Sequence, residues 1–181
     1  MYRSRTNPQV VLRPQDLVVL LRLSLQQGDA PTYATLSGEL GLTASEVHAG
    51  LERAAIAQLV RKDTRGKPTV VREALRRFVD HGAPYAFPAT RGEMTRGVPT
   101  AHAAAPLRDR IVQPHEAPPV WPYKLGTVRG PAFYPLYPTV PQAAAQNPAL
   151  YELLALFDAV RGGSTRERAI ALQLLDERLG A

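Results

Sequence analysis

The chain has 181 residues, 45% of them hydrophobic, which suffices for a packed core and excludes wholesale disorder. Its formal net charge is +6, with 12 basic and 8 acidic side chains in residues 1–82 against 10 and 8 beyond, so the excess leans toward the first half, as a polyanionic partner favours. Cysteine is absent, which excludes a disulfide framework, a Cys-type zinc site and a thiol nucleophile.

The opening string MYRSRTNPQ is not followed by a signal pattern with a small-residue cleavage site. The longest apolar run, Leu17 to Leu25, is interrupted by Arg22 and Ser24 and is too short to span a bilayer. A soluble, cytoplasmic protein with no membrane partner is expected. Pro14 suits a first helical turn, where its missing N–H is not needed. Leu17, Leu20, Leu21 and Leu25 then repeat at helical spacing over 14–27, and Val18, Val19 and Leu23 widen the apolar face beyond one stripe. Such a helix either sits deep in its own domain or packs on a second subunit, and Gly28-Asp29-Ala30-Pro31 stops it.

A short helix over 33–40 places Leu36 and Leu40 on one face. Gly41 stands where helices end in a left-handed residue. Thr43-Ala44-Ser45-Glu46 has the form of a capping box opening a helix over 44–57, with Val47, Leu51 and Ala54 or Ala55 inward. Ser45, His48, Ala49, Glu52 and Arg53 are left on its outer face. Leu59–Asp63 begins a strand, Thr64–Pro68 turns, and Thr69–Val71 returns, which makes a short basic hairpin. Helical spacing resumes over 72–81 with Ala74, Leu75, Phe78 and Val79.

The composition then changes. Thirteen of the 17 prolines fall between Pro84 and Pro148, which excludes long helices there. Tyr85, Phe87, Trp121, Tyr123, Phe133, Tyr134 and Tyr137 are too many aromatics for a solvated linker. The segment is expected to be ordered and extended, with short strands or turns wrapping the domain or a partner. Its aromatics suit an effector pocket, a protein-docking surface or an ordinary core. Regular structure is expected from 147, where Asn147 caps and Pro148 opens a helix with Leu150, Leu153, Leu154, Phe157 and Val160 on its face. Gly162-Gly163 ends it, and Ser164-Thr165-Arg166-Glu167 is a second capping box. The resulting helical hairpin must dock on something.

The stretch LSGELGLTASEVHAGLERA followed by LVRKDTRGKPTVV resembles the winged helix-turn-helix domain of MarR-like transcriptional regulators over about residues 12–82. That resemblance implies a third helix in the major groove and a wing on phosphates or in the minor groove. Ser45, His48, Ala49 and Arg53 would then face the groove, with Arg61, Lys62, Arg65 and Lys67 on the wing. The C-terminal half departs from the family, whose long dimerisation helices are not evident. The residues agree in part. Four cations lie within seven residues of the hairpin, while the third helix carries two glutamates and one arginine. Glu46 is explained by capping, and Glu52 could accept from a cytosine amino group.

Two further features stand in the sequence. Thr90-Arg91-Gly92 and Thr95-Arg96-Gly97 repeat a tripeptide, either as flexible arms for a minor groove or as two glycine turns; the turn reading is preferred. His48, His81, His102 and His115 form no close metal-ligand pair, and no phosphate loop, nucleophile elbow or acid pair is present, so no metal, cofactor or enzymatic activity is expected.

The fold expected is mainly α with a small β-wing: a winged helix-turn-helix domain (1–82), a Pro-rich extended segment (83–146) and a C-terminal α-hairpin (147–181). The function expected is a transcriptional regulator, a repressor, binding double-stranded DNA as a homodimer. The alternative is a protein-binding adaptor or antitoxin-like protein whose winged domain and aromatic segment hold a partner protein. The homodimer rests on the over-wide face of 14–27 and on the unaccompanied C-terminal hairpin.

Overall fold

Leu150, Leu153, Leu154, Ala155, Leu156, Phe157, Ala159 and Val160 leave almost no polar stripe on one helix, and a helix apolar on all sides belongs in an interior. The computed structural model describes residues 9–113 and 115–180 and places this helix at the centre. Residues 1–8, where the sequence shows no signal pattern, lie outside the described residues. The chain is mainly helical with two small sheets.

The first half follows the sequence closely. Helix α1 spans Pro14–Ser24, α2 Tyr33–Leu40 and α3 Ala44–Ile56. The Thr32 hydroxyl accepts the Thr35 amide at 3.1 Å, starting α2. Gly41 ends α2 in the left-handed region at φ 63°. The Thr43 hydroxyl accepts the Glu46 amide at 3.1 Å, and the Glu46 carboxylate accepts the Thr43 amide at 2.8 Å, so the capping box forms in full. Strands β1 (Val60–Lys62) and β2 (Pro68–Val70) pair antiparallel as the hairpin.

The helix expected over 72–81 departs from regularity. Helix α4 covers Arg72–Arg77, a wider π-type turn follows over Phe78–Gly82, and α5 covers Ala83–Ala86. Pro84 has no N–H to offer the carbonyl of Asp80, which breaks the regular ladder. That carbonyl instead accepts Arg168 Nη2 at 3.3 Å.

The Pro-rich segment is folded, not merely extended. Strand β3 (Arg91–Pro99) pairs antiparallel with both β4 (Val120–Pro122) and β5 (Val128–Phe133), and β4 meets β5 in parallel at Val120 and Ala132, closing a three-stranded barrel. At Gly97 and Gly130, as at Gly126, backbones approach too closely for side chains. A Cβ on Gly97 would lie 1.9 Å from the Trp121 carbonyl, and one on Gly130 would lie 1.8 Å from that of Pro118. Arg91-Gly92 and Thr95-Arg96-Gly97 of the repeat thus lie on strand β3, neither arm nor turn. Regular helix also returns earlier than 147: α6 spans Val140–Gln146, with Pro141 in its first turn.

The central helix is α7 (Pro148–Gly162), and α8 (Thr165–Leu179) follows after the Ser164 capping box, in which the Ser164 amide donates to Glu167 at 2.8 Å. Helix α7 packs against α1, α5, α6 and α8. One apolar cluster therefore runs from Leu17 to Leu179 through all three segments of the sequence. Leu17, Val18, Val19, Leu20, Leu21 and Leu23 are all buried by this same chain. The over-wide face of α1 sits deep in its own core, and the C-terminal hairpin docks on α1 and α4. Both sequence reasons for a homodimer are thereby removed.

Most of the aromatics are core or half-buried, with Trp121, Phe133 and Phe87 inside. They close around a polar knot. Asp158, 2% exposed, accepts Thr100 Oγ1 at 2.7 Å, Trp121 Nε1, and Arg161 Nε at 2.8 Å. Arg161 also donates to the Tyr134 carbonyl at 2.7 Å and to those of Phe87 and Pro88, with its guanidinium 5.0 Å from the centre of the Phe133 ring. Burial pushes the Asp158 carboxyl up from the ordinary carboxylate range, while Arg161, Thr100 and Trp121 pull it back.

Arg161→Met leaves a buried carboxylate without its cation and three carbonyls without a donor. Urea unfolding near neutral pH should show a loss of about 3–5 kcal/mol. An acid whose folded pKa exceeds its unfolded value stabilises most when protonated and loses that contribution as pH rises. Part of the deficit should therefore be recovered on acidification to about pH 5. A deficit independent of pH would count against Asp158 as the group left stranded.

Candidate nucleic-acid interface

Helix α3 is placed by its neighbours. Its inner side, Val47, Gly50, Leu51 and Ala54, is buried on the core. Its first turn is buttressed from the Pro-rich segment, where Tyr137 Oη donates to Glu46 at 3.3 Å and Thr139 Oγ1 donates to the last carbonyl of α2, Leu40, at 2.7 Å. The Thr139 side chain would lie 3.1 Å from a Cβ on Gly41. The segment thus braces the turn between α2 and α3 and leaves the outer side of α3 open. Ser45 and His48 are exposed, and Ala49 is half-buried. The Glu46 carboxyl is held below its usual range, first by the Thr43 amide.

The hairpin tip is organised by one carboxylate. Asp63 Oδ1 accepts the amides of Arg65 and Lys67, each at 2.8 Å, and Gly66 takes φ 77°. This holds Arg65 outward. Arg61 and Arg65 are exposed and make no ion pair among the described residues. Lys67 pairs with Asp29 at 2.8 Å. Lys62 pairs with Glu52, which also lies 3.5 Å from His48 Nε2. The Lys62 hydrogen bond holds Glu52 below the usual carboxylate range, and Glu52 raises Lys62 in return. Tyr33, the first residue of α2, meets the His48 ring edge-on with centroids 5.5 Å apart. Glu52 therefore joins α3 and the hairpin into one continuous surface, with its carboxylate engaged by Lys62 in the free protein.

Arg53 is the clear correction to the expected site. Its Nε and Nη2 each reach Asp16 at 2.7 Å, and Asp16 is 1% exposed. Asp16 also accepts the Arg13 amide at 2.9 Å, capping α1. Successive helical residues rotate by about 100°, so Arg53 falls about 60° from Gly50 on the flank of α3 and can turn inward. A Cβ on Gly50 would lie 2.8 Å from Asp16 Oδ1, so that glycine admits the carboxylate. The sequence offered one signal for this pair: a lone acid in the first turn of an otherwise apolar helix. For Tyr137, Thr139, Asp29 and Tyr33 it offered none, since each acts across a long sequence separation.

Seven of the eight expected residues thus remain on the surface formed by α3 and the hairpin, two of them cations engaged with acids. Exposed pairs contribute little to stability, so phosphates can exchange for the carboxylates at small cost. Among the described residues, no group of three His, Asp or Glu is placed to hold a metal, and no helix is long and apolar enough to cross a membrane.

Arg53→Ala should lower stability by about 3–5 kcal/mol in urea unfolding, because it strands Asp16. His48→Ala should change it by less than about 0.5 kcal/mol. Equal losses would mean that Arg53 is not the structural member of the set.

Comparison with family models, with curated proteins and with solved structures gives no match for this chain.

Proposed function

We propose that residues 14–70 act as a winged helix-turn-helix that binds duplex DNA, with α3 in the major groove and the hairpin on the backbone. The observation that carries this reading is the continuity of the surface: the open outer side of α3, with Ser45 and His48, adjoins a hairpin that holds Arg61 and Arg65 without acidic partners among the described residues. Arg61 and Arg65 supply phosphate contacts, which give affinity and its salt dependence. Ser45 and His48 supply groups able to read base edges. Lys62 and Lys67 join when phosphate replaces Glu52 and Asp29. The reading requires no second copy of the chain, since α1 and the C-terminal hairpin are already covered. Regulation of transcription follows if the bound site overlaps a promoter.

A second reading, an adaptor for another protein, is favoured by one observation: Tyr85 is 74% exposed and Tyr134 48% exposed, more than a core requires.

Binding of labelled duplex at low salt decides between them. The Arg61→Ala, Arg65→Ala double variant should weaken binding to all sequences and reduce the slope of log affinity against log salt by about 2. Glu52→Gln removes a negative charge and releases Lys62, so it should bind tighter with a slope steeper by about 1. A parent protein that binds no duplex at low salt would sink the DNA reading, and an affinity indifferent to both changes would place the interface elsewhere.

A further inference from the structure

The outer face of the three-stranded barrel carries a charge arrangement that the fold itself does not need. Arg96 on β3 lies directly opposite Arg129 on β5 in antiparallel register. Opposed residues project from the same face with Cβ atoms about 4.5–5.5 Å apart, and like charges in that position destabilise a sheet. Both arginines are exposed, and neither makes an ion pair among the described residues. The nearest acid in sequence, Glu93, sits in the bulge between Gly92 and Met94 and pairs with neither. On the other side of Arg96, the Tyr123 amide donates to the Arg96 carbonyl at 3.1 Å, so a half-buried tyrosine borders the pair. Lys124 follows it, exposed, in the turn closed by Gly126. Met94, 49% exposed, lies two residues from Arg96 on the same face, opposite Pro131.

The first Thr-Arg-Gly of the repeat sharpens the contrast. Arg91 donates to the Gly162 carbonyl at 2.6 Å and stacks on Phe133 at 5.1 Å. That arginine has a structural partner; the Arg96 side chain has none among the described residues.

We infer that this face is a second nucleic-acid-binding surface, in which Arg96 and Arg129 hold the phosphodiester backbone and Tyr123 offers an aromatic edge beside it. A polyanion removes the repulsion between the two guanidiniums, and cations bordered by an aromatic ring form the kind of surface that tracks a nucleic-acid strand. The inference extends the DNA-binding reading but uses residues outside α3 and the hairpin.

The test is a charge reversal. Arg96→Glu creates a cross-strand Glu–Arg pair in place of a repelling one, so the variant should melt at a higher temperature than the parent while binding nucleic acid more weakly. Arg129→Ala should lower the salt slope by about 1. Labelled duplex and labelled single strand, each measured with the full chain, separate the two sources of phosphodiester. Weakening on either one supports the surface. If the Arg61, Arg65 variant weakens binding while these do not, the surface is overturned and the α3 reading stands. If these weaken it while Arg61 and Arg65 do not matter, the α3 reading falls and the barrel is the binding surface. Absence of binding by the parent to both probes overturns both. A lower melting temperature for Arg96→Glu would overturn the repulsion on which the inference rests.

Discussion

The ion pair between Asp158 and Arg161 is the constraint on which the Pro-rich half depends. Two charges removed from water lose several kcal/mol of hydration each, and only close geometry with further hydrogen bonds offsets that loss. Here the carboxylate takes donors from Thr100, Trp121 and Arg161, and the guanidinium also serves backbone carbonyls at Phe87, Pro88 and Tyr134. These partners lie on different stretches of a segment whose strands and helices are short. The pair therefore supplies directional contacts where an apolar core would supply only proximity. Pro88 and its neighbours cannot satisfy one another through a helical ladder, so their carbonyls need a donor from outside.

A second buried pair has the same function in the first half. Asp16 and Arg53 fix α1 against α3, with Gly50 leaving the space. Arg72 adds a third tie by donating to the Ser24 carbonyl at the end of α1 and the Leu179 carbonyl at the end of α8. Cations are favoured at helix C-termini, where carbonyls lack helical partners. Arginine's forked donors suit all three positions, since each reaches more than one oxygen. Much of the basic character counted in the sequence is consequently structural. The arginines that have no acidic partner among the described residues, such as Arg61, Arg65, Arg96 and Arg129, stand out for that reason.

Bracing of α3 by residues 137–139 connects the two halves functionally. The turn between α2 and α3 is held by its own cap and by the Tyr137 and Thr139 hydrogen bonds. A rigid turn fixes the direction in which Ser45 and His48 project, and preorganised side chains lose less freedom on binding. The Pro-rich segment thus positions the outer side of α3, the surface proposed for DNA, without covering it.

Local signals were legible without coordinates. Gly41, the Thr43 and Ser164 capping boxes and the Asn147-Pro148 start each follow from residues within four or five positions of one another, and the 60–70 hairpin from a span of eleven. Periodicity likewise gave the buried face of α3 and, for α7, part of a helix that is buried nearly all round. The sequence could not reveal that Arg53 turns inward, because its partner Asp16 lies 37 residues away on another helix. Nor could it reveal that the repeat lies on a strand, because Gly97 answers to the backbone of Trp121 and Gly92 to the side chain of Tyr134, both brought there by folding. The same holds for the apolar face of α1, equally suited to a second subunit until α7 filled it. Sequence alone determined where helices start, stop and bury a side, since those are short-range backbone and hydrophobic effects. Tertiary structure decided which charges are spent inside the protein and which stay available, since that depends on partners brought together only by folding.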